Sequence, residues 1–117
     1  MKAVLQEILD RTPGVVGAAV VGADGIAVEK VCSDAAINLD VVTAEGMHVV
    51  KRAAGMTGGR HPAGVEEISV TGGAGLLVLR SLGSEYYLCI VARPECIPGQ
   101  VRYQAWRAGH RLQAALS

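Results

Sequence analysis

Side chains that could perform catalysis are few and widely separated in this sequence. The histidines fall in three different predicted segments, and none has a carboxylate at the spacing typical of metal ligands: His48, His61 and His110. The cysteines are odd in number, and no two have the CxxC spacing of a redox or zinc site: Cys32, Cys89 and Cys96. No serine stands in a GxSxG motif. We therefore predict a protein that is not an enzyme, without catalytic residues, metal ligands or a cofactor.

Two glycine-rich segments could approach a nucleotide. The first, TGGAG at 71–75, lacks the lysine of a phosphate-binding loop and lies between two strand-like segments, so we interpret it as a hairpin turn. The second, at 57–64, contains Arg60. This arginine could act as an arginine finger on a nucleotide-hydrolysing partner, or it could be a solvated loop charge.

Composition excludes several classes of protein. A chain of 117 residues and 12.1 kDa fits a single domain over residues 1–117. Eleven basic and eleven acidic residues give zero net charge, which argues against a nucleic-acid partner. Aromatic residues make up 3% of the chain and phenylalanine is absent, so the core must be aliphatic. No apolar run is long enough for membrane insertion and no signal peptide opens the chain, so we expect a cytoplasmic protein.

Hydrophobic periodicity predicts the order helix, two strands, helix, three strands, helix. The expected segments are 2–12, 15–21, 26–32, 40–56, 65–71, 76–80, 85–91 and 98–116. Asp40 is the predicted cap of the second helix, and Pro98 is the predicted start of the last one. Because short turns join the strands, the sheet should be antiparallel, and its apolar central strands should be covered on both faces.

The second helix differs from the others in the width of its apolar face. Apolar residues cover about half of its circumference, whereas a helix lying on one sheet needs a stripe of only about 100°. The excess predicts a homodimer, with an interface built from this helix and from the third strand as a sheet edge: Gly46, Val49, Val50, Ala53, Ile68 and Val70. The opposite side is a charged ridge, which we define as Glu45, His48, Lys51 and Arg52.

The order of elements and several local signatures resemble the Roadblock family, which includes dynein light chains and bacterial MglB-type regulators of small GTPases. The resemblance extends over nearly the whole chain. It is carried by Leu5-x-x-Ile8-Leu9, Thr12-Pro13-Gly14-Val15, Gly17-Ala18, Asp24-Gly25-Ile26, Ala44-Glu45, Leu76-Leu77-Val78-Leu79-Arg80, Tyr87-Leu88 and Arg102-Tyr103.

The resemblance implies an α+β, profilin-like sandwich: a five-stranded antiparallel sheet with one helix on one face and the two terminal helices on the other. It also implies dimers that join sheets edge to edge with second helices side by side, and a non-catalytic adaptor for a Ras-like small GTPase. In such a dimer the charged ridges of both copies would lie together, where they could form one platform for the GTPase or be only a solvated helix face. Two alternatives stay open, a structural scaffold subunit with no effect on nucleotide turnover and a small-ligand sensor or enzyme with a pocket between sheet and helices.

Overall fold

The computed structural model describes residues 1–57, 64–83 and 85–116, and it confirms the predicted order of elements. These ranges contain three helices and five strands. They are α1 (Lys2–Arg11), β1 (Val15–Gly22), β2 (Ala27–Cys32), α2 (Leu39–Met56), β3 (Glu67–Gly72), β4 (Gly75–Ser81), β5 (Tyr86–Ala92) and α3 (Pro98–Leu116).

The five strands form one antiparallel sheet in the order β2-β1-β5-β4-β3. Strand β1 lies beside the central strand β5, and all eight of its residues are buried. An unbroken apolar run is what a strand covered on both faces requires, so the run from Val15 onward correctly indicated an inner strand. Strands β2 and β3 form the two edges of the sheet.

Alternating side chains of the sheet enter two separate aliphatic layers. On one face, Leu88 and Ile90 of β5 pack with residues of α1 and α3. On the other face, Cys89 and Leu79 pack with Met47 and other residues of α2. The predicted α+β sandwich, with one helix on one face and the two terminal helices on the other, is thereby confirmed.

Two predicted boundaries differ from the structure. Helix α2 begins at Leu39, because Asn38 is its N-cap and accepts a hydrogen bond from the Val41 amide at 3.3 Å. The predicted cap, Asp40, lies in the first turn and forms an ion pair with Lys30 of β2 at 2.7 Å. Strand β3 begins at Glu67 instead of residue 65.

The segment before β3 is pinned by the chain's most deeply buried aromatic side chain. Val65 is buried, and its backbone carbonyl accepts a hydrogen bond from the hydroxyl of Tyr87 at 2.5 Å. That carbonyl therefore has a side-chain partner outside the ladder between β3 and β4, which starts at the pair Glu67 and Arg80. The apolar pattern therefore overestimated the strand by two residues.

Candidate partner-binding surface

Helix α2 is held on the sheet by its inner face. Met47, Val50 and Ala54 are buried there with almost no exposed area. At Gly46 the helix approaches the sheet so closely that a Cβ would lie 3.1 Å from Cδ1 of Leu79. A larger residue at this position would require the Leu79 side chain or the helix to move, so the glycine permits the close approach of α2 to β4.

The outer face of α2 carries the charged ridge, and all four ridge residues are exposed. Within 1–57, 64–83 and 85–116, none of the four forms an ion pair or a side-chain hydrogen bond. Other charged residues of the chain are paired, for example Lys30 with Asp40 and Arg93 with Asp34. The ridge therefore presents donors and acceptors that no described residue satisfies.

Three apolar side chains share the outer face of α2 with the ridge. Val41 and Val49 are about half exposed, and Met56 is 86% exposed. The spacing of these residues along the helix places them within the same arc as Glu45 and Arg52. The outer face thus combines apolar contact area with charge, a mixture typical of protein–protein interfaces.

The nearby sheet edge is also apolar and partly open. Strand β3 pairs with β4 on one side only, and Val70 is 46% exposed on the face that bears α2. A groove of about 250 Å³ lies between this edge and the first half of α2, lined by Val42, Val70, Leu77, Val91 and neighbouring residues of the β3–β4 turn. An open strand edge beside an apolar groove is a natural site for pairing with another chain.

The structure divides the predicted dimer interface into two sets. Gly46 and Val50 do not face outward, because both are covered by the chain's own sheet. Ala53 and Ile68 are partly buried against the same core. Val49 and Val70 are the predicted interface residues with substantial exposed area, as noted above. Any interface on this side must therefore use the latter two and the exposed apolar residues Val41 and Met56, which the sequence analysis did not select.

The residues considered for catalysis are not brought together. His48 lies on α2 and His110 on α3, on opposite sides of the sheet, and the described part of the chain contains no group of three potential metal-binding side chains. Burial raises the pKa of the Cys89 thiol to about 12, so it is not a nucleophile at neutral pH. Arg60 and His61 lie outside the described residues.

The TGGAG segment forms the predicted hairpin turn between β3 and β4. Gly75 has φ of +143°, and a Cβ at this position would lie 2.1 Å from the backbone oxygen of Ala92. The glycine is therefore required for close packing of the strands, which accounts for it without a bound phosphate.

No protein-family model matches the sequence, and no curated protein matches it. Solved structures do. A Roadblock/LC7 domain from Streptomyces avermitilis superposes with a TM-score of 0.81 at 19% identity, covering 99% of this chain and 97% of that one. MglB from Myxococcus xanthus superposes with a TM-score of 0.82 at 15% identity, covering 98% of this chain and 93% of that one. MglC from Myxococcus xanthus superposes with a TM-score of 0.73 at 24% identity, covering 97% of this chain and 96% of that one.

The chain has the Roadblock/LC7 fold. At identities of 15 to 24% the likeness establishes the fold, and it confirms at that level the Roadblock resemblance of the sequence. The superposition covers nearly all of both chains, so the Roadblock fold accounts for every described element here. No described helix is long and apolar enough to cross a membrane.

One exposed cluster on this fold was missed by the sequence analysis. Tyr103, Trp106 and His110 form a row of contacting rings on the outer face of α3. The available signal was the i, i+3, i+7 spacing of these residues, which places them on one side of a helix.

Proposed function

We propose that this chain is a homodimeric, non-catalytic adaptor that binds and regulates a Ras-like small GTPase through the charged ridge of α2. The observation that carries the proposal is the outer face of α2 itself. Its four polar side chains, three of them charged, are exposed and have no described partner, and Val41, Val49 and Met56 supply apolar area among them. The resemblance to the Roadblock family implies a platform for a GTPase, and we assign that role to this surface.

Homodimer formation is supported by the open edge of β3 and the adjoining groove. Pairing two β3 strands would satisfy backbone groups at the sheet edge and cover Val70. It would bring the α2 helices of both copies to the same face of a continuous sheet, with Val49 near the junction. A specific dimer of this kind should bury about 1,200–2,000 Å² in total. Light scattering that shows a monomer at micromolar concentration would contradict this part of the proposal.

Regulation requires only that the platform binds one nucleotide state of the GTPase better than the other. A surface that fits the switch loops in one conformation shifts the population toward that conformation. Lys51 and Arg52 provide positive charge on the ridge, and Glu45 provides an acceptor beside them. Charges at an interface rim chiefly set the association rate and its dependence on salt.

The ridge is tested by the charge-reversing double substitution Lys51→Glu/Arg52→Glu. At low salt the association rate with the cognate GTPase should fall by roughly tenfold, whereas the melting temperature should stay nearly unchanged. The matched control is Lys2→Glu/Arg107→Glu, which changes the net charge equally on the other side of the sheet. If both double variants associate at the same rate as the wild type, the ridge is not the docking surface.

A hydrolysis assay separates regulation from scaffolding. The proposal predicts that the wild-type chain changes the GTP turnover or nucleotide exchange of the bound GTPase, and that the ridge variant loses this effect. Binding of the GTPase with no change in either rate would support a scaffold subunit instead.

A further inference from the structure

The outer face of α3 carries an aromatic row on the side of the sheet opposite to the charged ridge. The ring centroids of Tyr103 and Trp106 are 6.2 Å apart in a stacked arrangement, and those of Trp106 and His110 are 4.8 Å apart, edge to face. Tyr103 is 54% exposed and Trp106 is 49% exposed. Packing within the domain thus leaves about half of each residue's surface exposed to solvent.

This placement is unusual for a chain so poor in aromatic residues. The sequence has one tryptophan and three tyrosines and no phenylalanine. Tyr87 is fully buried and Tyr86 partly buried, so the other two large aromatic residues, Tyr103 and Trp106, stand on an exposed helix face. Tryptophan, tyrosine and arginine dominate the energetics of protein interfaces because they supply large contact area with a polar end.

The layer formed by α1 and α3 is strongly basic within a neutral chain. It contains five basic residues against two acidic ones, a formal net charge of +3, from Lys2, Arg11, Arg102, Arg107 and Arg111 against Glu7 and Asp10. Helix α3 itself has no acidic residue. The aromatic row therefore lies in a positive field.

Among the described residues, each of the two carboxylates that form ion pairs with α3 is shared between two arginines. Glu7 forms ion pairs with Arg11 and Arg111, at 3.1 Å and 2.8 Å. Glu67 of β3 forms ion pairs with Arg102 and Arg80, at 2.7 Å and 3.2 Å, so the charge of Glu67 is offset by that of Arg80 and the balance of +3 on this side is unchanged. Arg107 lies one position after Trp106 and forms no ion pair with a described residue. A partner carboxylate could therefore approach Arg107 without displacing an existing ion pair.

A small recess extends this surface at the start of α3. It has a volume of about 240 Å³ and lies beside Tyr103, between the end of α1 and Gln100 and Gln104 of α3. Thr12 also lines the recess, but its hydroxyl is buried, so the exposed polar side chains there are those of Arg11 and Gln100. The recess offers polar groups next to the aromatic row, which suits the insertion of a partner's polar side chain.

We propose that this face of α3 is a second docking surface, which binds an acidic amphipathic segment of a partner protein. The apolar residues of this segment would pack on Tyr103 and Trp106, while its carboxylates would pair with Arg107. A second copy of this chain is disfavoured, because a symmetric contact would bring two layers of net charge +3 together. The face lies across the sheet from α2, so one chain could hold this segment and another partner at once.

The test uses fluorescence anisotropy to measure binding of a fluorescein-labelled synthetic helix. This peptide carries leucines at i, i+3, i+4 and i+7 on one face and glutamates on the other. Two control peptides replace the leucines with serine or the glutamates with lysine. Variants Trp106→Ala and Arg107→Glu should each weaken binding of the acidic peptide by roughly tenfold or more. Lys51→Glu, on the charged ridge, is the matched control and should leave binding unchanged.

Circular dichroism melts identify any variant that fails to fold. Because Arg107→Glu changes only an exposed side chain, this variant should stay folded and can test the proposal even if Trp106→Ala does not fold. Failure of the acidic peptide to bind the wild-type chain, or equal binding to Arg107→Glu, would overturn the proposal. Tighter binding of a uridine oligonucleotide or of anionic lipid vesicles would also overturn it. These results are independent of the α2 ridge, since Lys51→Glu reports on that surface separately.

Discussion

Substitutions at Val50 test whether this residue stabilises the fold of the domain or belongs to an interface with a partner. Val50 has no exposed area and packs with Met47, Leu79 and Tyr87 between α2 and the sheet. Val50→Ala removes two buried carbons, which costs about 1.6 kcal/mol in transfer free energy, and a cavity term raises this to about 2–3 kcal/mol. Val50→Glu additionally buries an unpaired carboxylate, so its cost should exceed about 4 kcal/mol and approach the entire stability of a small domain.

The matched control is the neighbouring residue Val49, which is 45% exposed on the outer face of α2. Val49→Glu should change the free energy of unfolding of the monomer by less than about 1 kcal/mol, and it should weaken dimerisation if the proposed interface is correct. Urea unfolding followed by circular dichroism, at one fixed protein concentration, measures all three variants.

For a chain of this length, 1 kcal/mol corresponds to about 4 °C in melting temperature, so Val50→Ala should melt roughly 10 °C below the wild type. Val50→Glu should be largely unfolded at room temperature and should therefore show no cooperative unfolding transition on heating. A Val50→Glu variant that melts within a few degrees of the wild type would refute the assignment of Val50 to the inner face of α2.

Three further outcomes follow from individual contacts. Gly75→Ala should destabilise the sheet by more than about 2 kcal/mol, because it combines positive φ with a backbone clash, whereas Gly73→Ala, which meets open space, should be neutral in chemical denaturation. The hydrogen bond from Arg111 lowers the pKa of Glu7 below its ordinary value of 4.5, so Arg111→Ala should reduce stability at neutral pH. The difference in stability from the wild type should vanish as acid protonates Glu7 in both proteins, and thermal melts at a series of pH values would show this. Tyr87→Phe removes a donor to a buried carbonyl and should cost about 1–3 kcal/mol in urea unfolding.

The fold was predictable because its strongest signals are local. The unbroken apolar run at residues 15–21 indicated the inner strand β1, and Pro98 correctly indicated the start of α3. The N-cap of α2 was not, since both Asn38 and Asp40 are good caps. The structure selects Asn38, while Asp40 pairs with Lys30 on another strand, a long-range contact that the local pattern does not contain.

The candidate site was predictable only in part, for a related reason. Helical periodicity shows which residues share a face, but it does not show which neighbour covers that face. Gly46 and Val50 belong to the same broad apolar sector as Val49, yet the sheet covers the first two and leaves the third exposed. Trp106 likewise looks like a core residue by type, and its exposure follows from how α3 lies on the sheet.

The central claim is that the outer face of α2 receives the GTPase, and an NMR titration tests it most directly. The ¹⁵N-labelled chain is titrated with the unlabelled GTPase loaded with a non-hydrolysable GTP analogue. The account predicts that the largest shifts and line broadening fall on the backbone amides of Glu45, His48, Lys51 and Arg52, while Trp106 stays unchanged. Perturbations that fall on α3 and spare α2 would contradict the account.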